Sequence, residues 1–152
     1  MNRPTAISPP SAAAREAWRR RLPASRKLAL AREILVTYPR VRWWLRHKEL
    51  PAVIAALRAG DRPAEQPNGD QILMGIRLGR VVRRTLGVLP ADSRCLVRSL
   101  VLTSLLAQRG IDSKLVIGVK AEHSFEAHAW VECAGVPLLP PGEEDYGRLV
   151  EL

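Results

Sequence analysis

The sequence predicts an α+β domain, helices first and a small antiparallel sheet last, on three observations. From Cys95 to Gln108 no helix breaker intervenes, with Asp92 and Ser93 ahead as capping residues and Gly110 behind as a stop. The runs Lys114 to Val119 and Phe125 to Cys133 are apolar and β-branched, the composition of adjacent strands. Ahead of both lie segments with apolar residues at helical spacing, separated by Pro and Gly.

Taken in order, residues 1–11 (MNRPTAISPPS) are proline-rich and aperiodic, which predicts a disordered or loosely docked arm. A basic helical part follows over 12–69. Its first helix is expected from Ala12 to Leu22, ended by Pro23. Its second is expected to be capped by Ser25, with an apolar stripe of Leu28, Leu30, Ala31, Ile34 and Leu35, and to stop near Tyr38 because Pro39 disfavours α geometry before it. In the stretch Pro39 to Gly60, Trp43 and Trp44 stand among Arg40, Arg42, Arg46 and Lys48. The tryptophans fill a helical core or cover the domain, or else Arg40, Trp43, Trp44 and Arg46 form a substrate or partner surface. The run Asp61 to Gly69 reads as an exposed loop. The remaining 70–152 reads as a catalytic core, opened by a helix that Asp70 caps and that buries Ile72, Leu73, Ile76, Val81 and Leu86.

With 152 residues, 47% of them hydrophobic, the chain has room for one enzyme domain. Its charge is split: residues 1–90 carry 18 Lys and Arg against 6 acids, residues 91–152 carry 6 against 9. Such a basic front fits nucleic acid, anionic lipid or an acidic partner, or simply arginine-solvated helix faces. Two cysteines, Cys95 and Cys133, are too few for a disulfide framework, and no secretory signal opens the chain, so a cytoplasmic setting is expected. No apolar run is long enough to span a bilayer. No phosphate-binding loop or zinc-ligand spacing is present, so neither cofactor nor metal is expected.

The chemistry centres on Cys95. A thiol in the first turn of a helix meets unsatisfied N–H groups and the positive end of the helix dipole, which favour thiolate. His128 lies on the following strand, where an imidazole within reach would complete a nucleophile and base. Alternation puts His128, Trp130 and Glu132 on one face and Ala129, Val131 and Cys133 on the other, which assigns Cys133 to packing. A lone cysteine on an apolar helix is otherwise a small core residue.

The strings CLVRSLVL, QRGIDSKLVIGV and FEAHAWVECAGVPL, from about Asp92 to Leu139, resemble the lasso-peptide leader peptidases, the microcin-processing family of transglutaminase-like cysteine proteases. The resemblance implies a papain-like fold and peptide-bond cleavage, with Cys95 as nucleophile and His128 as base. It implies a precursor peptide as substrate, with a threonine just before the cleavage point. It also implies a separate winged-helix protein that recognises the leader, because this chain lacks the length for such a domain, and an ATP-using cyclase that closes the lasso ring. Nucleic acid has no part in it.

The family's acid falls near Leu139 and Pro140, where this chain has none. If Ala134 and Gly135 make a two-residue turn, Cys133 faces Val136 and His128 faces Pro141. The candidates to orient the imidazole are then Asp145 first, Glu143 and Glu144 beside it, and Glu132; alternatively, a backbone carbonyl or water holds the ring. Two other readings use the same residues differently: an acyl transferase of transglutaminase type, or a basic binding protein in which Cys95 is inert.

Overall fold

The computed structural model describes residues 7–20, 22–59, 67–88, 94–120, 126–141 and 146–152. Five helices precede or flank the sheet: α1 (Ala12–Arg19), α2 (Ala24–His47), α3 (Leu50–Arg58), α4 (Gly69–Leu86) and α5 (Arg94–Ala107). Strands β1 (Lys114–Lys120), β2 (Glu126–Cys133), β3 (Val136–Pro137) and β4 (Gly147–Glu151) form one antiparallel sheet in the order β3-β2-β1-β4. The α+β expectation holds, with β4 an element the sequence reading did not contain.

α5 is the central helix. Leu100, Leu102, Leu105 and Leu106 are fully buried, each contributing roughly 1.5–3 kcal/mol by leaving water. A helix apolar on every side needs partners on every side, and α2, α3, α4 and β2 supply them. Its buried hydroxyls are satisfied internally: Thr103 Oγ1 donates to the Ser99 carbonyl at 3.0 Å, and Ser99 Oγ donates to the Ala129 carbonyl at 3.0 Å. Gly110, at φ 69°, ends the helix as expected, with Ile111 N donating to Leu106 O and Gly110 N to Ala107 O. Asp92 and Ser93, the expected caps, lie outside the described residues.

α2 departs from expectation. It begins after Pro23 rather than with Ser25 as its cap, and it runs through Pro39 to His47 instead of stopping near Tyr38. Proline inside a helix costs about 3 kcal/mol because it removes a donor and crowds a carbonyl. Here the carbonyl that loses its donor belongs to Leu35, which is exposed like Pro39 itself, so the lost bond is on the solvent side of the helix. Ile34 and Val41 meanwhile are fully buried on the opposite side. Their transfer, roughly 1.5–3 kcal/mol each, outweighs the local penalty.

The N-terminal boundaries shift for similar reasons. α1 ends at Arg19, short of Leu22, because the Arg77 guanidinium takes the carbonyls of Ala17, Trp18 and Arg20 at 2.7, 2.9 and 3.0 Å. The expected loose arm over 1–11 is described only over 7–11. There it is docked: Ser8 O accepts from Gly69 N at 3.0 Å, and the Ser11 backbone N–H and hydroxyl donate to Asp70 at 2.7 and 2.8 Å. Asp70 therefore does not cap α4. Asn68 does, in a capping box with Gln71. Most of the expected loop before it lies outside the described residues.

α4 buries Ile72, Leu78, Val82 and Leu86, so Val82 takes the place expected for Val81, and Leu73 and Ile76 are only half-buried. Its glycines explain the difference. A Cβ on Gly79 would stand 2.2 Å from the Leu138 carbonyl oxygen, and one on Gly75 would stand 2.8 Å from the Leu138 side chain. The segment after β3 thus crosses α4 directly on its backbone, a closeness that only glycine permits. The helical front and the 70–152 region share one hydrophobic cluster that includes Ile34, Val53, Leu57, Leu100 and Val116.

Candidate active site

Cys95 occupies the first turn of α5, half-buried against the core. His128 is half-buried in β2, opposite Gly118 of β1. What brings these two elements together is a strand edge that changes partner. The Val131 carbonyl is taken by Leu138 N at 2.8 Å, just beyond β3. Two residues back, on the same edge, the Ala129 carbonyl is taken by the Ser99 hydroxyl. Ser99 stands one helical turn after Cys95 on the same side of α5, and Ala129 is the neighbour of His128. That hydrogen bond ties α5, one turn after Cys95, to β2 at the residue next to His128.

The imidazole is held on three sides. Its Nε2 lies 3.2 Å from the carbonyl oxygen of Pro140. A carbonyl only accepts, so Nε2 carries the proton in the neutral ring and Nδ1 keeps its lone pair. The rings of Trp130 and Tyr146 flank it, with centroids at 6.1 and 5.4 Å and interplanar angles of 21° and 31°. Gly118 makes room for both: a Cβ there would meet Tyr146 at 2.8 Å and the Trp130 ring at 2.9 Å. The hairpin that delivers Pro140 is the expected one. Ala134 and Gly135 both have positive φ, 49° and 79°, and Cys133 pairs with Val136. The ladder ends at Glu132 and Pro137, however, so the ring meets Pro140 rather than Pro141.

The carboxylates expected beside the histidine divide into two groups. Asp145, Glu143 and Glu144 lie outside the described residues. Glu132 shares the His128 face, as expected, but its buried Oε1 accepts from Trp130 Nε1 and from Arg148 Nη2, both at 2.8 Å. It fixes the indole that lies against the imidazole. Cys133 is fully buried, and that burial, with Asp112 nearby, pushes its thiol up to about 11. It is a packing residue, as expected.

The tryptophan region is a separate feature at the end of α2. Trp43 is exposed and stacks on His47 at 4.8 Å, so it does not fill a core. Trp44 is half-buried, with Arg40 at 4.4 Å and Lys48 at 5.2 Å over its ring. Arg46 is exposed.

Residues 34–151 match the profile described as the Transglutaminase-like superfamily. The chain belongs to that superfamily. Membership generally implies cysteine-peptidase or acyltransferase activity. No curated protein and no solved structure gives a significant match. The matched region of this transglutaminase-like chain begins within α2, so α2, α3 and α4 belong to the superfamily domain together with α5 and the sheet. No described helix is long and apolar enough to cross a membrane.

Sequence reasoning missed Gly118, Tyr146 and the role of Ser99, and it offered a backbone carbonyl as the imidazole's acceptor without naming Pro140. Gly118 carried a signal: a glycine inside the β-branched run LVIGV marks a close approach from another group. A backbone acceptor carries none, since every residue has one.

Proposed function

We propose that this protein is a cysteine peptidase that removes the leader from a lasso-peptide precursor, with Cys95 as nucleophile and His128 as base. The observation that supports the reading is the Ser99–Ala129 hydrogen bond, which ties the helix of Cys95 to the strand of His128. The resemblance of Asp92 to Leu139 to the leader peptidases supports the substrate class.

Nδ1 of His128, its lone pair free because Nε2–H is given to Pro140, takes the Cys95 proton. The sulfur adds to the scissile carbonyl, and backbone N–H groups at the start of α5 stabilise the oxyanion. The imidazolium then protonates the leaving amine. Water, deprotonated by the same Nδ1, resolves the thioester and frees the acid. In this reading the imidazole is oriented by a main-chain carbonyl and two aromatic rings. A thiol nucleophile tolerates this, because thiolate needs less assistance to form than alkoxide does. The partners are the precursor, a separate winged-helix recognition protein and an ATP-using cyclase that receives the freed amine; the surface of Arg40, Trp43, Trp44 and Arg46 is where the recognition protein docks.

Incubation with the precursor encoded beside it, with and without the recognition protein, tests the assignment by mass spectrometry. Two fragments whose masses sum to the precursor plus one water are expected. Transfer of the acyl fragment to an added amine instead would make the protein an acyltransferase. An unchanged precursor would leave the basic binding reading.

A further inference from the structure

Apart from the candidate site, the strongest feature of the described surface is a groove of about 1000 Å³ between α1, α2 and α4. Its charged lining includes Lys27, Arg80, Arg83 and Arg84, and among the described residues it contains no acidic one. Its floor is apolar, formed by Trp18, Leu22 and Val81 among others. Arg80 and Arg83 also line a second, smaller cleft, of about 220 Å³, whose far wall is Pro137 to Pro140. The two clefts therefore meet along one edge of α4, and the smaller ends at the segment whose carbonyl holds His128.

We infer that this groove binds an acidic, partly apolar peptide segment of the substrate, on the same chain as the bond presented to Cys95 and His128. The inference rests on the peptidase reading and names a substrate feature which that reading leaves open. Charge complementarity selects the sign of the ligand: cations crowded into a concave, low-dielectric surface raise the local concentration of an anionic partner. The floor selects a peptide over a nucleic acid. The Trp18 ring is already engaged by the guanidinium groups of Arg77 and Arg80, at 5.5 and 4.7 Å, and is not free as a platform for a base. Carboxylates can still pair with the forks of Arg83 and Arg84, which are exposed on the next turn of α4.

The test is fluorescence anisotropy with a labelled twelve-residue peptide of alternating Glu and Leu, using the full chain carrying Cys95→Ala so that no turnover intrudes. Tight binding at low salt is expected, weakening as salt screens it. Replacing every Glu in the peptide by Gln, or reversing charge in the double variant Arg83→Glu/Arg84→Glu, should each weaken binding by roughly tenfold or more. Both arginines are exposed, so circular dichroism of the variant should match that of the parent. Equal affinity for the Gln peptide, insensitivity to the double reversal, or preference for an oligonucleotide of equal charge would each overturn the inference. Absent peptide binding with intact precursor cleavage would remove the groove alone; peptide binding without cleavage would remove the peptidase reading alone.

Discussion

His128 Nε2 stands 3.2 Å from the main-chain carbonyl of Pro140, while the buried carboxylate on the same strand face, Glu132, is committed to Trp130 and Arg148. The histidine is thus oriented without any described side-chain acid. The acids therefore make the sharpest test. Asp145→Asn, Glu143→Gln and Glu144→Gln should each leave cleavage near normal, because Nε2 already has its acceptor. A rate loss of roughly 10² at one of them, about 2.7 kcal/mol of transition-state stabilisation, would identify a carboxylate in that role.

Cys95→Ala should abolish cleavage with the fold intact, and His128→Ala should do nearly the same. Because the two groups act as a unit, the double variant should be scarcely slower than either single one. Substantial turnover by Cys95→Ala would end the assignment.

Gly79→Ala should lower both stability and rate. The new methyl would stand 2.2 Å from the Leu138 carbonyl, so either α4 or the segment leading to Pro140 must move. Overpacking of this kind costs about 1–3 kcal/mol. Denaturant melts measure the first effect. The second appears as slower cleavage, since displacing the Pro140 carbonyl withdraws the acceptor from Nε2.

Cys133 gives a pH signature at the alkaline end. Its thiol ionises near 9.0 in the ordinary case and near 11 when folded, because burial disfavours the thiolate. The unfolded chain therefore loses this proton first. The contribution of the protonated thiol is fully present below pH 9 and is lost as pH rises from 9 toward 11, by about 2 kcal/mol. Cys133→Ala should flatten that part of the stability–pH curve. An alkylating reagent at pH 8 should label Cys95 well before Cys133.

Ala134 has φ 49°, a left-handed conformation that a residue with a Cβ rarely adopts. Ala134→Asn should raise stability by about 0.5–1 kcal/mol, since Asn is the preferred residue at this position of the turn. Thermal melting would read the gain as a few degrees, and a loss would mean that the side chain meets something the turn geometry does not include.

How much of this was legible in the sequence depended on whether the deciding interaction was local. The α5 stop at Gly110, the hairpin at Ala134 and Gly135, and the shared face of His128 and Trp130 all follow from nearest-neighbour stereochemistry, and all were readable. Pro39 misled because the helix penalty it imposes is local, while the burial of Ile34 and Val41 that overrides it depends on α5, tens of residues away. Asp70 looked like a cap until Ser11, far off in the chain, claimed its carboxylate. β4 was illegible because its residues are exposed and its backbone is ordered by pairing with β1. The acceptor for His128 was foreseen as a backbone carbonyl but could not be placed at Pro140, because a main-chain group has no side chain to read.

The hydroxyl of Ser99 also determines how a peptide can arrive. β3 is two residues long, which would leave the β2 edge beside His128 as an open template for an added strand. Leu138 N occupies the Val131 carbonyl and Ser99 occupies that of Ala129, so neither acceptor remains for a visiting backbone. For the proposed substrate in front of Cys95, extending the sheet at those positions is disfavoured. Strand addition there has to compete with the Leu138 N–H and the Ser99 hydroxyl, so in the proposed reaction sequence preference rests on what the substrate's side chains meet.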